Sequence, residues 1–337
     1  MAIHDVALRF YREQLGCGWV PGYLTRRGFA ADVLRHWQVG YAPASGSGLV
    51  RHLRSAGYPD SLIEAAGLAR RTRTGTLADT FRDRAMMPIR DGHGRIVAFI
   101  GRAAEHAGPA VPKYLNSPST PLYRKGQVLF GLWEARAALA AGAVPVIAEG
   151  PLDAIAIAIA GNGRYASVAL CGTVLTARQV ALLGDACDLR ATGALVAFDA
   201  DGSGHRAAVR AYRVLGPIRT ATVVLPHGRD PAQILTDHGP AVLAALLRHR
   251  RRPLADLVVD AVIGVWSDRL RFAEGQVGAL RAGAAAIAGM PACDVPRQVG
   301  RLAEMIGLDH ATVTEAVSDA LADLIASEES ARTDQPR

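Results

Sequence analysis

Four carboxylates in this chain sit where a sheet could bring them together. Glu149 closes an apolar run in VPVIAEG, Asp199 and Asp201 close another in ALVAFDADGSGH, and Asp230 follows a third in ATVVLPHGRDPA. A fifth acid, Asp153, lies just beyond the first run in GPLDAIAIAIA. In an open parallel sheet ligands bind beyond the carboxyl ends of the strands, so Glu149 occupies a site position. Side chains two apart on a strand point the same way, and Asp199 and Asp201 can therefore face one pocket. Several carboxylates at one sheet edge repel one another in a partly desolvated site unless cations sit between them. Mg²⁺ suits that role, because it is held by one or two carboxylates, waters and substrate phosphates. Two such ions can bracket both oxygens of a phosphoryl displacement. Gly150, Gly202 and Gly204 would let the backbone turn tightly and approach phosphates. Each motif taken singly also has a structural reading: Asp153 complements a helix dipole, and Asp199 to Gly204 is a turn after a strand.

The elements that must position these acids follow from periodicity. Residues 1–143 mix amphipathic helical stretches (HDVALRFYREQL, ADVLRHW, LVRHLRSAG) with a strand pair in AMMPIRDGHGRIVAFIGR, turned at Asp91 to Gly94, an α+β pattern. Residues 144–248 alternate apolar strands with segments long enough for crossover helices, which predicts a largely parallel sheet flanked by helices. In CGTVLTARQV, Gly172 and Thr173 border the pocket and Thr176 caps the next helix. Residues 249–326 read as a helical subdomain, and 327–337 as a polar, disordered tail.

Bulk properties narrow the partners. The 337 residues are 50% hydrophobic and 20% charged, enough to bury a core in two or three units. The N-terminus lacks the features of a signal peptide and no apolar stretch is long enough to span a bilayer, which points to a cytoplasmic protein with no membrane partner. Cys17, Cys171, Cys187 and Cys293 are scattered, so neither disulfides nor zinc are expected. The net charge of +7 fits a polyanionic partner. The basic runs RRTRTGT and RHRRRP read as solvated surface, and His93, His205 and His227 fit no zinc spacing. No Walker A sequence occurs, which argues against motor activity.

Glu149 with Asp199-Ala200-Asp201 resembles the signature of the TOPRIM domain of topoisomerases and primases. Beyond that module, FRDRAMMPIRDGHGRIVAFIGR and PKYLNSPSTPLYRKGQVLFGLWEA resemble the catalytic core of DnaG-type bacterial primases, as do FYREQL, YLTRRGF, VGYAP and IEAAGL. The resemblance runs from about residue 5 to about 320. It implies an α/β TOPRIM core with an N-terminal α+β and a C-terminal helical subdomain. It implies that Glu149, Asp153, Asp199, Asp201 and Asp230 hold two or more Mg²⁺ or Mn²⁺ ions, with Glu149, Asp199 and Asp201 as the catalytic set. Arg82, Arg84, Arg102, Lys113 and Lys125 would line a groove for template and nucleotide; arginine forks grip phosphates and lysines act as point charges. The structural alternative for FRDR is a solvated surface. Tyr114 and Asn116 either stack on or hydrogen-bond to a strand, or shape a loop.

Three departures from the family pattern stand out. The chain reads Asp230-Pro231-Ala232 where the family carries Asp-Pro-Asp, which removes one outer metal ligand. Gly202 replaces a longer side chain. The chain also begins and stops with the core, so neither the zinc-ribbon module nor the helicase-binding domain is expected. The expectation is a primase making short RNA primers from ribonucleoside triphosphates on a single-stranded DNA template, with a separate helicase or DNA-binding replication protein as partner. Two other readings stay open: a TOPRIM nuclease or other phosphoryl-transfer enzyme, and a catalytically impaired module that binds single-stranded DNA or nucleotide.

Overall fold

The computed structural model describes residues 2–199, 202–226 and 228–333, with backbone alone for 328–333. Asp201, Ala200, His227 and 334–337 lie outside the described residues.

The chain opens with helices α1 (Ala2–Glu13), α2 (Val20–Arg26) and α3 (Ala31–His36), then β1 (Gly40–Ala42), α4 (Gly48–Ser55), α5 (Asp60–Ala65) and a small hairpin, β2 (Ala69–Arg71) and β3 (Leu77–Asp79). Strands β4 (Arg84–Arg90) and β5 (Ile96–Ala103) form the expected pair, followed by β6 (Tyr114–Asn116). Their turn is set by Asp91, whose Oδ1 accepts from the His93 and Arg95 backbone N–H groups, and by Gly94 at φ 79°. The antiparallel order is β1-β4-β5-β6. Both faces of this sheet are covered. Met86, Ile96 and Phe99 pack with α1 and α4 residues, whereas Ala85, Met87 and Ile89 turn towards the second half of the chain. That period of two is the strand's own alternation.

The second sheet begins with β7 (Leu129–Phe130) and α6 (Leu132–Ala140), then β8 (Val144–Ala148), α7 (Pro151–Gly161), β9 (Tyr165–Leu170), α8 (Ala177–Ala186), α9 (Leu189–Thr192) and β10 (Ala194–Ala197). It continues through α10 (Gly202–Leu215), β11 (Thr220–Val223), α11 (Pro231–His249) and β12 (Arg251–Pro253). Among the described residues it is six-stranded, in the order β12-β11-β10-β8-β9-β7. The four inner strands are parallel and both edges are antiparallel. Val146, Ala148, Leu195 and Ala197 face a core shared with α7 and α11, while Ile147 and Val196 face the opposite one. The core around α7 also holds Val20, Leu24, Met87 and Ile100, so both halves of the chain pack on this helix. Its sequence, PLDAIAIAIAG, is apolar on every side, as a helix buried between two layers must be. Thr176 caps α8 in a reciprocal capping box with Gln179.

The last helices are α12 (Leu254–Gly264), α13 (Ala273–Ala288), α14 (Val295–Ile306) and α15 (His310–Thr333). Buried Asp256 ties α12 to α14 by accepting from Arg297 at 2.8 and 3.0 Å and from Gln298 at 2.8 Å. A buried charge is tolerable only when so paired.

Three sequence boundaries move. Residues 129–130 belong to the second sheet, since Leu129 pairs with Leu170. Residues 251–253 are a strand paired with β11, not the start of a helical unit. The stretch read as a disordered tail carries the final turns of α15 as far as Thr333. No helix among the described residues is long and apolar enough to cross a membrane.

Candidate active site

The acids meet at the carboxyl ends of the parallel strands. Glu149 follows β8, Asp199 follows β10 after Phe198, and Asp230 follows the loop beyond β11. A Glu149 carboxylate oxygen, Oε1, accepts from the Asp199 backbone N–H at 3.2 Å, which links two strand ends directly. Asp230 caps α11, accepting from Gln233 N–H at 2.6 Å, with Pro231 in the first turn where its missing N–H costs nothing. Asp153 sits in the first turn of α7 and is buried; its Oδ1 accepts from the backbone N–H of Ala232 at 3.2 Å. The N-termini of α7 and α11 are thus joined at one point, and their dipoles favour anions there.

Burial, reinforced by the charges of Asp230 and Asp199, pushes the Asp153 carboxyl up to about 8. That is the electrostatic stress a cation would relieve. No three acidic, histidine or cysteine side chains among the described residues form a metal cage by themselves. A hard ion that keeps waters and substrate phosphates does not need such a cage. The donor set of Glu149, Asp153, Asp199 and Asp230, all oxygen ligands, fits Mg²⁺ or Mn²⁺ chemically. Asp201 lies outside the described residues.

The glycines act otherwise than expected. None of Gly150, Gly172 and Gly204 has a positive φ. At Gly150, an extended position, a Cβ would stand 2.7 Å from Asp153 Oδ2. At Gly204 it would stand 2.2 Å from the Asp199 carbonyl oxygen and 2.9 Å from Glu149 Oε1. Close approach, not a turn, is the requirement at these two. Among the described residues a Cβ on Gly172 or Gly202 would meet nothing nearer than 3.9 and 3.4 Å, so no close contact there demands glycine.

A basic cavity of about 400 Å³ adjoins the acids, lined by Tyr23, Arg26, Arg27, Arg102, Lys113 and Asp230 among others. Lys113 reaches Asp230 Oδ2 at 3.7 Å and is largely exposed. Arg102 is buried, with its guanidinium 4.6 Å over the Tyr23 ring and Nη1 donating to the Ala103 carbonyl. Its Nε has no partner among the described residues. Arg27 donates to the Tyr23 hydroxyl at 2.6 Å and to Thr236 Oγ1 at 3.2 Å, fastening α2 to α11. Tyr114 lies against Gly150, and burial followed by the Asp153 charge raises its phenol.

The other basic residues divide. Arg82 is exposed, but Arg84 is buried and donates to the carbonyls of Gly101 and Pro112, both at 3.0 Å. Both bonds come from Nη1, so Arg84 braces the loop that carries Lys113 from a buried position. Lys125 is exposed next to Gly172, its carbonyl held by Gln179 Nε2 at 3.2 Å. Asn116 donates to the Cys171 carbonyl at 2.9 Å, an anchor for the loop after β9. Sequence reasoning missed Tyr23, Arg26 and Arg27. The signal available was YLTRRGF, a short helix ending in two arginines before Gly28, which takes φ +84° against Leu235.

Residues 10–136 match the family model for the DNA primase catalytic core, N-terminal domain, and residues 146–235 match a Toprim-like model. A DNA primase of Pseudomonas putida is 33% identical over 327 residues, 94% of this chain and 48% of that protein. One of Streptomyces coelicolor is 31% identical over 313 residues, 90% of this chain and 48% of that protein. The chain thus spans about half the length of these curated relatives. Among solved structures, a DNA primase domain from Pseudomonas aeruginosa superposes with TM-score 0.76 at 30% identity, covering 93% of this chain and 98% of that one. The RNA polymerase domain of Mycobacterium tuberculosis primase DnaG, in complex with double-stranded DNA, gives TM-score 0.75 at 32% identity, covering 91% and 98%. A DnaG primase catalytic domain bound to single-stranded DNA gives 0.74 at 26%, covering 92% and 97%.

Proposed function

This chain belongs to the family of DnaG-type bacterial primase catalytic cores, and from that premise we propose that it synthesises short RNA primers on a single-stranded DNA template from ribonucleoside triphosphates. The observation that carries the reading is the acid cluster at the ends of β8, β10 and β11, with Arg102 and Lys113 at its margin. Glu149, Asp153, Asp199 and Asp230, with Asp201, would hold Mg²⁺ or Mn²⁺. The ions supply charge neutralisation at the triphosphate and activation of the attacking 3′ hydroxyl.

The protein's own part is positioning. Arg102, stacked on Tyr23, and Arg27, tied to Tyr23 and Thr236, are held in place before any phosphate arrives. Lys113 carries a mobile point charge from the cavity to Asp230. The Ala232 N–H keeps one Asp153 oxygen turned towards α11. Ala232, buried where the family has an acid, leaves the outer metal position with one ligand fewer. The working compartment is the cytoplasm, as replication of a bacterial template requires, and a helicase or DNA-binding replication protein is the proposed partner.

The test is incorporation of labelled ribonucleotides on single-stranded DNA with Mg²⁺ and with Mn²⁺, comparing the native chain with Asp199→Asn and Glu149→Gln. Short RNA products that vanish in both variants support the reading. DNA cleavage without extension would replace it with a nuclease, and DNA binding with neither would leave a binding module.

A further inference from the structure

Arg82 and Arg84 stand two apart, and on a regular strand they would point to one side. Here Arg82 is exposed and Arg84 is buried. The reversal is made at Asp83, whose φ of 48° is left-handed backbone that residues with a Cβ seldom adopt. Such a conformation persists only where its surroundings over-determine it, and it gathers at functional positions.

The surroundings of Asp83 do over-determine it. One carboxylate oxygen, Oδ1, accepts from Trp19 Nε1 and from the Tyr41 hydroxyl, both at 2.8 Å. Each donor is fixed in turn. Trp19 packs edge-on against Tyr23, ring centroids 5.3 Å apart. Tyr41 pairs with Ala85 in the β1–β4 ladder, and its ring lies so close over Gly18 that a Cβ there would be 2.6 Å away. Burial and the Asp83 carboxylate push the Tyr41 phenol up to about 12, so it remains a donor at neutral pH. Arg82 rests on a floor shaped for it: a Cβ on Gly46, itself at φ +72°, would stand 2.5 Å from Arg82 Nε.

We infer that Asp83 is a positioning residue, whose clamped left-handed backbone turns Arg82 outward over Gly46 to meet a phosphate of the single strand while sending Arg84 inward. The inference rests on the proposed reading of Arg82 as a strand contact. Aspartate suits the position on two counts: its short polar side chain tolerates left-handed backbone better than most, and its carboxylate takes both donors at once.

The experiment measures binding of a fluorescent oligothymidylate across a series of salt concentrations. Arg82→Ala should lower the slope of log K against log salt by about 0.7, the share of one phosphate on a single strand. Asp83→Ala should lower it equally, and the double variant no further. Asp83→Asn, which keeps an acceptor and tolerates the same backbone, should keep the full slope. Trp19→Phe and Tyr41→Phe each remove one donor and should each lose part of the slope, with no further loss when combined with Arg82→Ala; they carry the test if Asp83→Ala does not fold. Full slope in Asp83→Ala or in both donor variants, or losses that add to those of Arg82→Ala, overturns the inference alone. Full slope in Arg82→Ala overturns the reading on which it rests.

Discussion

Gly204→Ala should disable the site while leaving most of the fold intact. The added Cβ would stand 2.2 Å from the Asp199 carbonyl oxygen and 2.9 Å from Glu149 Oε1. An unstrained contact of this kind needs about 3.2 Å or more, so α10 and the end of β10 must part by about 1 Å. Overpacking of that kind costs about 1–3 kcal/mol of stability. The larger effect falls on activity, because the displaced atoms belong to Glu149 and Asp199, whose carboxylates are the proposed metal ligands. Misplacing a reacting group by about 1 Å costs on the order of 10²-fold in rate. Gly202→Ala, two residues earlier on the same helix, is the control: among the described residues its Cβ would meet only the far end of the Arg206 side chain at 3.4 Å. Alanine there should be neutral or stabilising by up to about 1 kcal/mol, given the higher helix propensity. The assay is primer synthesis with Mg²⁺, alongside thermal denaturation with and without the ion. Native activity in Gly204→Ala, or equal losses in the two variants, would refute the argument from close approach.

In the absence of divalent cations the pH dependence should follow Asp153, whose folded value is raised to about 8 from the ordinary 3.8. The folded chain then holds a proton that the unfolded chain has lost, so this contribution to stability is full below about pH 4 and is lost as pH rises towards 8. The thermal midpoint should fall over that window, Asp153→Asn should flatten the fall, and Mg²⁺ should stabilise most at pH 8; an equal pH slope in native and variant chains would sink the assignment. Asp230→Ala removes the α11 cap and should cost about 1 kcal/mol in denaturant titration, together with weaker Mg²⁺ binding measured by calorimetry. Arg84→Ala strands the Gly101 and Pro112 carbonyls and should cost about 2–3 kcal/mol, with the salt slope of single-stranded DNA binding unchanged.

The acids were legible because the features that announce them are local. An apolar run of a few residues ending in a carboxylate reads as a strand end wherever it occurs, and repetition of that pattern with helical spacers predicts the parallel sheet. The turn at Asp91 to Gly94 and the Thr176 cap were legible for the same reason, since each is built within four residues. The edge strands β7 and β12 were not, because runs of two and three residues are strands only by virtue of the partner they pair with. The end of α15 was missed in the other direction: SEESART is polar in composition, yet the chain continues the helix it is already in.

Which side chains face the site was decided by the tertiary structure. Arg82 and Arg84 are indistinguishable by type and spacing, and one left-handed residue held by Trp19 and Tyr41, 64 and 42 positions away, sends them in opposite directions. Tyr23 and Arg27 join the cavity because α2 docks on α11, with Arg27 and Thr236 standing 209 positions apart. That carboxylates end the strands could be read from the chain alone, since alternation and connectivity act over a few residues. The direction of each basic side chain rests on contacts between distant segments, and exists only once the two sheets have closed on α7.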